Sequence, residues 1–165
     1  MRSPLALAKA LAMLVPAVAL AAAFGSQYLG HLVPCEMCWY QRYAHFTGLG
    51  FAVLALLLSR MPDRGRSFVW LSALGIFASG ALGAFHAGCE RKLWDCMTQC
   101  TAPPVSGSTT DILNDIMSRP MVRCDDIQFQ LFGVSMAGWN AIFSIAGALV
   151  ILWLSLRKPK NPALA

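Results

Sequence analysis

The chain has 165 residues, 57% of them hydrophobic and 13% charged, and its mean hydropathy of +0.56 leaves too little polar surface to cover a soluble globule of this size. It belongs in a bilayer. The net charge of +5 does not point to nucleic acid, because the basic residues are dispersed at the ends of apolar stretches, where they meet lipid head groups, and form no stripe for a phosphate backbone.

Four stretches are predicted to span as helices, at about 5–24, 43–59, 68–86 and 134–156. A hydrocarbon core of about 30 Å needs about 20 helical residues, with about 17 as the lower limit, so the second qualifies narrowly. None contains Asp or Glu. Backbone polar groups in lipid must pair within their own segment, which selects helices over the alternating pattern of a β-barrel. The first stretch has a rival reading: Arg2, Lys9, an apolar run and Ala19-Leu20-Ala21 look like a secretory signal with its cleavage site. The run reaches back to Leu5, longer than a typical signal core, which favours a retained helix.

The predicted organisation is one all-α membrane domain over residues 1–165, a four-helix bundle with outer connections at about 25–42 and 87–133. One side collects Arg2, Lys9, Arg60, Arg64, Arg66, Arg157, Lys158 and Lys160 against a single acid, Asp63. The other collects Arg42, Arg91, Lys92, Arg119 and Arg123 against seven acids. By the positive-inside rule both termini and the 60–66 turn are expected to be cytoplasmic. All six cysteines then lie outside.

Cys35-Glu36-Met37-Cys38 precedes the second span, so Cys38 falls near a helix N-terminus, where unpaired N–H groups and the helix dipole favour a thiolate. Arg42, four residues on, belongs to the same face one turn deeper. Its charge can hold a thiolate or a developing oxyanion, or it can be an interfacial arginine that snorkels. It is the only basic residue at that helix end, and the positive-inside trend runs against it, which favours function. A C-x-x-C is also half of a zinc site, and Cys35, Cys38, Cys96 and Cys100 have plausible spacings for one. In an oxidising compartment such thiols tend instead to form disulfides, and no metal is expected.

His86 closes the third span at the depth of the C-x-x-C. There an imidazole can move a proton or simply be hydrogen-bonded at a helix end. His31 and His45 are expected at the interface, as are Trp39, Trp94, Trp139 and Trp153. Met37, Phe46 and Met136 are apolar neighbours of the helix ends, where packing is the usual role. The 87–133 connection is longer than a link requires. In it Ser108 can cap a short helix that gathers Ile112, Leu113, Ile116 and Met117 on one face, as a surface helix would. A disulfide between Cys100 and Cys124, across 23 residues, would close a loop worth about 3 to 4 kcal/mol, a sufficient structural motive by itself.

Taken in order, Cys35-x-x-Cys38-x-x-x-Arg42, His86-Ala87-Gly88, Cys100, Cys124-Asp125 and the run from Leu131 to Asn140 (Leu-Phe-Gly-Val-Ser-Met-Ala-Gly-Trp-Asn) closely resemble the disulfide bond formation protein B (DsbB) family over nearly the whole chain. The resemblance implies a bacterial inner-membrane relay. A periplasmic DsbA-like thioredoxin-fold oxidase hands electrons to the loop pair Cys100 and Cys124, these pass them to Cys35 and Cys38, and a membrane quinone, ubiquinone or menaquinone, removes them. It further implies that the partner's thiolate attacks Cys100, that Cys124 departs and then attacks within the protein, that Cys38 contacts the quinone and that Arg42 donates to a quinone oxygen.

Cys89 and Cys96 depart from the family pattern. They can form a third disulfide, offer Cys100 an alternative partner or stay free thiols, since six cysteines allow fifteen full pairings; the expectation is that they pair with each other, and a Cys96–Cys124 link would reverse it. Two other readings compete. A vitamin K epoxide reductase type of thiol oxidoreductase usually carries its C-x-x-C late in the chain, whereas here it comes early. A tetraspan adaptor with purely structural disulfides would differ in that its bridges resist mild dithiols.

Overall fold

The computed structural model describes residues 3–97, 108–110 and 123–157. Among the described residues there are four long helices: α1 (Pro4–Tyr28), α2 (Glu36–Leu57), α3 (Arg66–Glu90) and α4 (Met136–Leu156). Among the described residues α1, α3 and α4 are long and apolar enough to cross a membrane. α2 has the length, at 22 residues, but Glu36, Gln41, Arg42 and His45 lower the hydropathy of its first half.

Two helices, α1 and α3, outrun at both ends the apolar stretches that announce them, and α2 starts early. α1 runs on to Tyr28 and α2 begins at Glu36, ahead of the expected 43, so the first outer connection shrinks to 29–35. Cys38 and Arg42 are therefore helical residues. Ser3 caps α1, accepting from the Ala6 N–H at 3.2 Å, with Pro4 following at the first helical position, where its missing N–H costs nothing.

Small residues set the packing. A Cβ on Gly75 of α3 would lie 3.0 Å from the Cα of Gly48 on α2, and one on Gly83 would lie 2.8 Å from the carbonyl oxygen of Ala137 on α4. Close backbone approach is how membrane helices gain contact when lipid and side chain are equally apolar. Leu5, Ala8, Ala12, Ala52, Ala55, Val69, Ala73, Ile76, Ala148, Ile151 and Leu154 form the apolar core at the end of the bundle that holds the 58–65 turn. Lys9 reaches across there to donate to Ser59 Oγ at 2.7 Å. Asp63 organises the turn, accepting from the N–H groups of Gly65 and Ser67 and from the Ser67 hydroxyl.

At the opposite end, β1 (Gln130–Leu131) and β2 (Val134–Ser135) form an antiparallel hairpin with Gln130 opposite Ser135 and Leu131 opposite Val134. Its two-residue turn places both Phe132 (φ 52°) and Gly133 (φ 75°) in the left-handed region, as the hairpin turn that matches strand twist requires. Ser135 then caps α4 by accepting from Gly138 N–H at 3.1 Å. Of the expected surface helix only Ser108–Thr110 are described, and the rest of it, like Cys100, lies outside the described residues.

Candidate redox site

Cys35 is the N-cap of α2. Its backbone is extended (φ −74°, ψ 173°), and its Sγ accepts from the Cys38 N–H at 3.3 Å, taking the place of the usual cap oxygen. This fold brings the third helical residue back beside the cap, so that the two sulfurs stand 2.9 Å apart. Their shared hydrogen bond, together with burial, pushes the Cys35 thiol up. The same bond holds Cys38 below the ordinary thiol value, with the Arg42 charge adding to it. Of the pair, Cys38 is the sulfur on which a thiolate is favoured.

Arg42 is 5% exposed. Its guanidinium lies 4.7 Å from the centre of the Phe24 ring and 4.8 Å from that of Trp39. One terminal nitrogen donates to Gln27 Oε1, the other to the Ala23 carbonyl at 3.0 Å. α1 thus supplies both acceptors, and the buried Nε keeps no hydrogen-bond partner among the described residues.

His86, in the last turn of α3, faces the other cysteine of the pair. Its Nε2 is 3.7 Å from Cys35 Sγ, 3.0 Å from the Cys124 carbonyl oxygen and 3.9 Å from Glu90 Oε1. Its Nδ1 is 3.1 Å from Gln41 Nε2. An amide nitrogen can only donate there, so Nδ1 accepts and Nε2 carries the hydrogen, which it gives to Cys124. The segment holding Cys124 is tied down again where Gln128 Nε2 donates to the Val33 carbonyl at 2.9 Å. The result is that Cys35 Sγ, Cys124 Sγ and a ring nitrogen of His86 lie within 4.8 Å of one another, all on buried residues. These are donors a metal can use, but the sulfur-to-sulfur proximity equally suits disulfide exchange. The four-cysteine zinc set needs Cys100, outside the described residues.

The imidazole is the end of a buried polar chain. Gln41 Oε1 accepts from Asn140 Nδ2 at 2.8 Å, Asn140 Oδ1 accepts from His45 Nε2 and Ser144 Oγ, each at 2.9 Å, and Ser79 Oγ donates to the Gln41 carbonyl at 3.0 Å. His45 is 3% exposed. It faces the interior of the bundle, not the interface expected of it, because a partner on α4 draws it inward. Since its Nε2 donates, the unpartnered Nδ1 is an acceptor.

A cavity of about 560 Å³ joins these groups. It runs from Leu14 and Val18 on α1 past Arg42 and His45 to Cys35, Cys38, His86 and Glu90, with Met136, Trp139 and Phe143 of α4 along one wall. Three buried polar atoms of its lining residues, Arg42 Nε, His45 Nδ1 and Glu90 Oε2, have no hydrogen-bond partner among the described residues. Met37, by contrast, is buried among the cysteines.

Of the site residues expected from sequence, Cys35, Cys38, Arg42 and His86 come together at this cavity, and Cys124 lies beside Cys35 and His86. Sequence reasoning passed over Gln41, Glu90, Gln27 and Ser79, and quoted Asn140 only as part of a motif. The available signal was an uncharged amide inside an apolar helix, rare in a membrane unless it has a partner.

The family described as Disulfide bond formation protein DsbB matches residues 6–154 of this chain. A protein named Disulfide bond formation protein B from Paracidovorax citrulli (strain AAC00-1) is 32% identical over 166 residues, covering 92% of this chain and 89% of its own. One of the same name from Acidovorax sp. (strain JS42) is 32% identical over 161 residues, 89% of this chain and 86% of its own. A third, from Marinobacter nauticus, is 27% identical over 157 residues, 90% of each. No solved structure matches the chain.

Proposed function

Because the chain belongs to the disulfide bond formation protein DsbB family, as a multi-pass membrane oxidoreductase of disulfide formation, we propose that it couples thiol oxidation in a periplasmic DsbA-like thioredoxin-fold protein to reduction of membrane quinone. In this reading residues 1–165 form one inner-membrane domain with both termini cytoplasmic. α2 is its fourth span, partnered on its polar face by α1, α3 and α4 and so able to carry Gln41, Arg42 and His45 through the bilayer. The cysteines then face the periplasm.

The observation that carries the proposal is the spacing of sulfurs: Cys124, Cys35 and the His86 imidazole within 4.8 Å, and Cys38 a further 2.9 Å from Cys35. An incoming thiolate attacks Cys100 of the Cys100–Cys124 disulfide, and Cys124 leaves with the bonding pair. The Cys124 thiolate attacks Cys35 Sγ in the Cys35–Cys38 disulfide, forming Cys35–Cys124 while Cys38 departs as the thiolate that its helix position, the Cys35 contact and Arg42 stabilise. The His86 Nε2–H, donating to the Cys124 carbonyl, holds that segment against Cys35.

The residues lining the cavity fit a quinone. Its two carbonyl oxygens call for donors at its ends, and Arg42 Nε is a buried donor without a partner. Its ring and isoprenoid tail call for apolar walls, and Leu14, Val18, Trp139 and Phe143 supply them. When bound, quinone accepts two electrons and two protons. Arg42, fixed by Gln27 and Ala23, directs its Nε toward an acceptor, while His45 Nδ1 and Glu90 Oε2 are the buried acceptors available to hold protons.

The test is the purified chain supplied with reduced partner and quinone, following quinone absorbance. The parent chain should consume quinone and Cys38→Ala should not; a parent chain that oxidises no partner thiol, or a Cys38→Ala variant as fast as its parent, defeats the reading.

A further inference from the structure

Cys89 lies in the last turn of α3 and is 0% exposed. Beyond Glu90 the chain reverses, with Lys92 at φ 58°, its N–H donating to the Cys89 carbonyl at 2.8 Å and the Leu93 N–H to that of Gly88 at 3.0 Å. Trp94 clamps the reversal. Its ring stacks on Phe85 at 5.6 Å, its Nε1 donates to the Phe85 carbonyl at 2.9 Å, and it lies so flat on the helix that a Cβ on Gly88 would come within 1.9 Å of it. The fold-back returns Cys96 to the buried cluster that holds Cys89.

This pair does not stand apart. Cys35, Met37, Cys89 and Cys124 form one buried cluster, with Cys38, Phe85 and Cys96 packed against it. The Asp125 carboxylate, next to Cys124, bonds both Arg123 and Lys92, so the turn between Cys89 and Cys96 is latched to the segment that carries Cys124. Cys96 thus packs against the same buried cluster as Cys124. A disulfide whose only task was to brace the loop would gain nothing from touching the exchanging cysteines.

We propose that Cys89 and Cys96 are a third thiol–disulfide couple of this chain, exchanging with the relay through Cys124 and storing one electron pair. The step rests on the relay described above. The Cys124 thiolate attacks Sγ of Cys96, so that the Cys96–Cys124 bond forms, the Cys89–Cys96 bond breaks, and Cys89 leaves with the bonding pair and takes up a proton. The Cys100 thiolate then attacks Sγ of Cys124, restoring Cys100–Cys124, and Cys96 leaves and is protonated. Two electrons and two protons have passed from the Cys100/Cys124 dithiol to Cys89 and Cys96.

Run in reverse, the exchange returns them to Cys124 and onward to the Cys35–Cys38 disulfide. Electrons so returned leave through Cys38, whose departure as a thiolate the helix end and Arg42 favour, and the couple lets the loop pair accept a second substrate while the C-x-x-C is still reduced.

The full-length chain in lipid nanodiscs, oxidised and free of quinone, is titrated with reduced thioredoxin, acid-quenched and mapped by differential alkylation. Uptake of three electron pairs per chain, with Cys89 and Cys96 labelled, and loss of that labelling in Cys124→Ala, are expected; uptake that stops at two pairs with Cys89–Cys96 intact overturns the proposal. In oxidised Cys89→Ser the reverse step is trapped: the Cys96 thiolate attacks Sγ of Cys124 in the Cys100–Cys124 disulfide, Cys100 leaves with the bonding pair, and with no Cys89 thiol to resolve it a Cys96–Cys124 link should accumulate and be lost in Cys89→Ser/Cys124→Ala. Its absence also overturns the proposal. Trapping of Cys35–Cys124 in Cys38→Ser reads the relay separately, so failure there defeats the relay, and failure of the Cys96 link alone defeats only the third couple.

Discussion

His86 donates from Nε2 to the carbonyl oxygen of Cys124, 3.0 Å away and 38 positions later in the sequence. The same nitrogen is 3.7 Å from Cys35 Sγ, so one imidazole holds together the two sulfurs that have to meet. With His86→Leu, exchange between Cys124 and Cys35 is expected to slow about 100-fold, measured in an oxidised Cys38→Ser chain as the rate at which the Cys35 thiolate displaces Cys100 from Cys124 to form Cys35–Cys124. His86→Gln, which keeps an amide N–H, should recover part of the rate. Unchanged kinetics in His86→Leu would take the imidazole out of the transfer.

Arg42 should act later. Arg42→Gln removes a charge-assisted donor worth about 1.5–3 kcal/mol, so the KM for quinone is expected to rise about 10- to 100-fold. Formation of Cys35–Cys124 in Cys38→Ser should remain, since no Arg42 nitrogen is bonded to either sulfur of that link. Quinone kinetics identical to those of the parent chain would remove Arg42 from quinone binding.

Much of this site was legible because its parts repeat general rules at short range. A C-x-x-C ahead of an apolar run puts a thiol at a helix N-terminus, and an arginine four residues on follows it down the same face. The Gln41–His86 and Gln41–Asn140 bonds were not legible, because their partners are 45 and 99 positions apart and nothing local to either residue names the other. His45 was misread for the same reason: a single histidine in an apolar helix has one appearance in sequence whether it faces lipid or Asn140. The four helices emerged from composition, but the true start of α2 did not, since its first turn is held by a cysteine cap that no cap preference anticipates.

The sulfur pair should titrate in a fixed order. Cys38 is held below the ordinary thiol value chiefly by its hydrogen bond with Cys35, so in the reduced chain it is alkylated by iodoacetamide at lower pH than Cys35, whose thiol is pushed up. Cys35→Ala deletes the donor, so the Cys38 profile should move to higher pH and its labelling at pH 7 should fall. A Cys38 profile that stays put, followed by mass spectrometry, would mean that the helix end and Arg42 are sufficient without the contact.

Asp63, at the far end of the bundle, gives a pH effect unconnected with sulfur. Its hydrogen bonds from Ser67 and Gly65 hold the carboxyl at about 2 against an ordinary 3.8. A depressed carboxyl contributes stability that is complete above the ordinary value and is lost as pH falls from about 3.8 through about 2. Thermal unfolding in detergent should therefore separate the parent chain from Asp63→Asn at pH 6, with the two converging near pH 2. Equal melting temperatures at pH 6 would show that the turn does not depend on the carboxylate.

The cavity does not stop at the cysteines; it continues down α1 to Leu14, twelve residues short of Ser26 on the same wall, or about 18 Å of helix. A quinone seated as proposed would run along that wall beyond the sulfur end, and would enter sideways from among the acyl chains. Its supply is then counted as a mole fraction of the surrounding lipid, so diluting the membrane with inert phospholipid at constant bulk quinone should slow turnover as surely as removing quinone would.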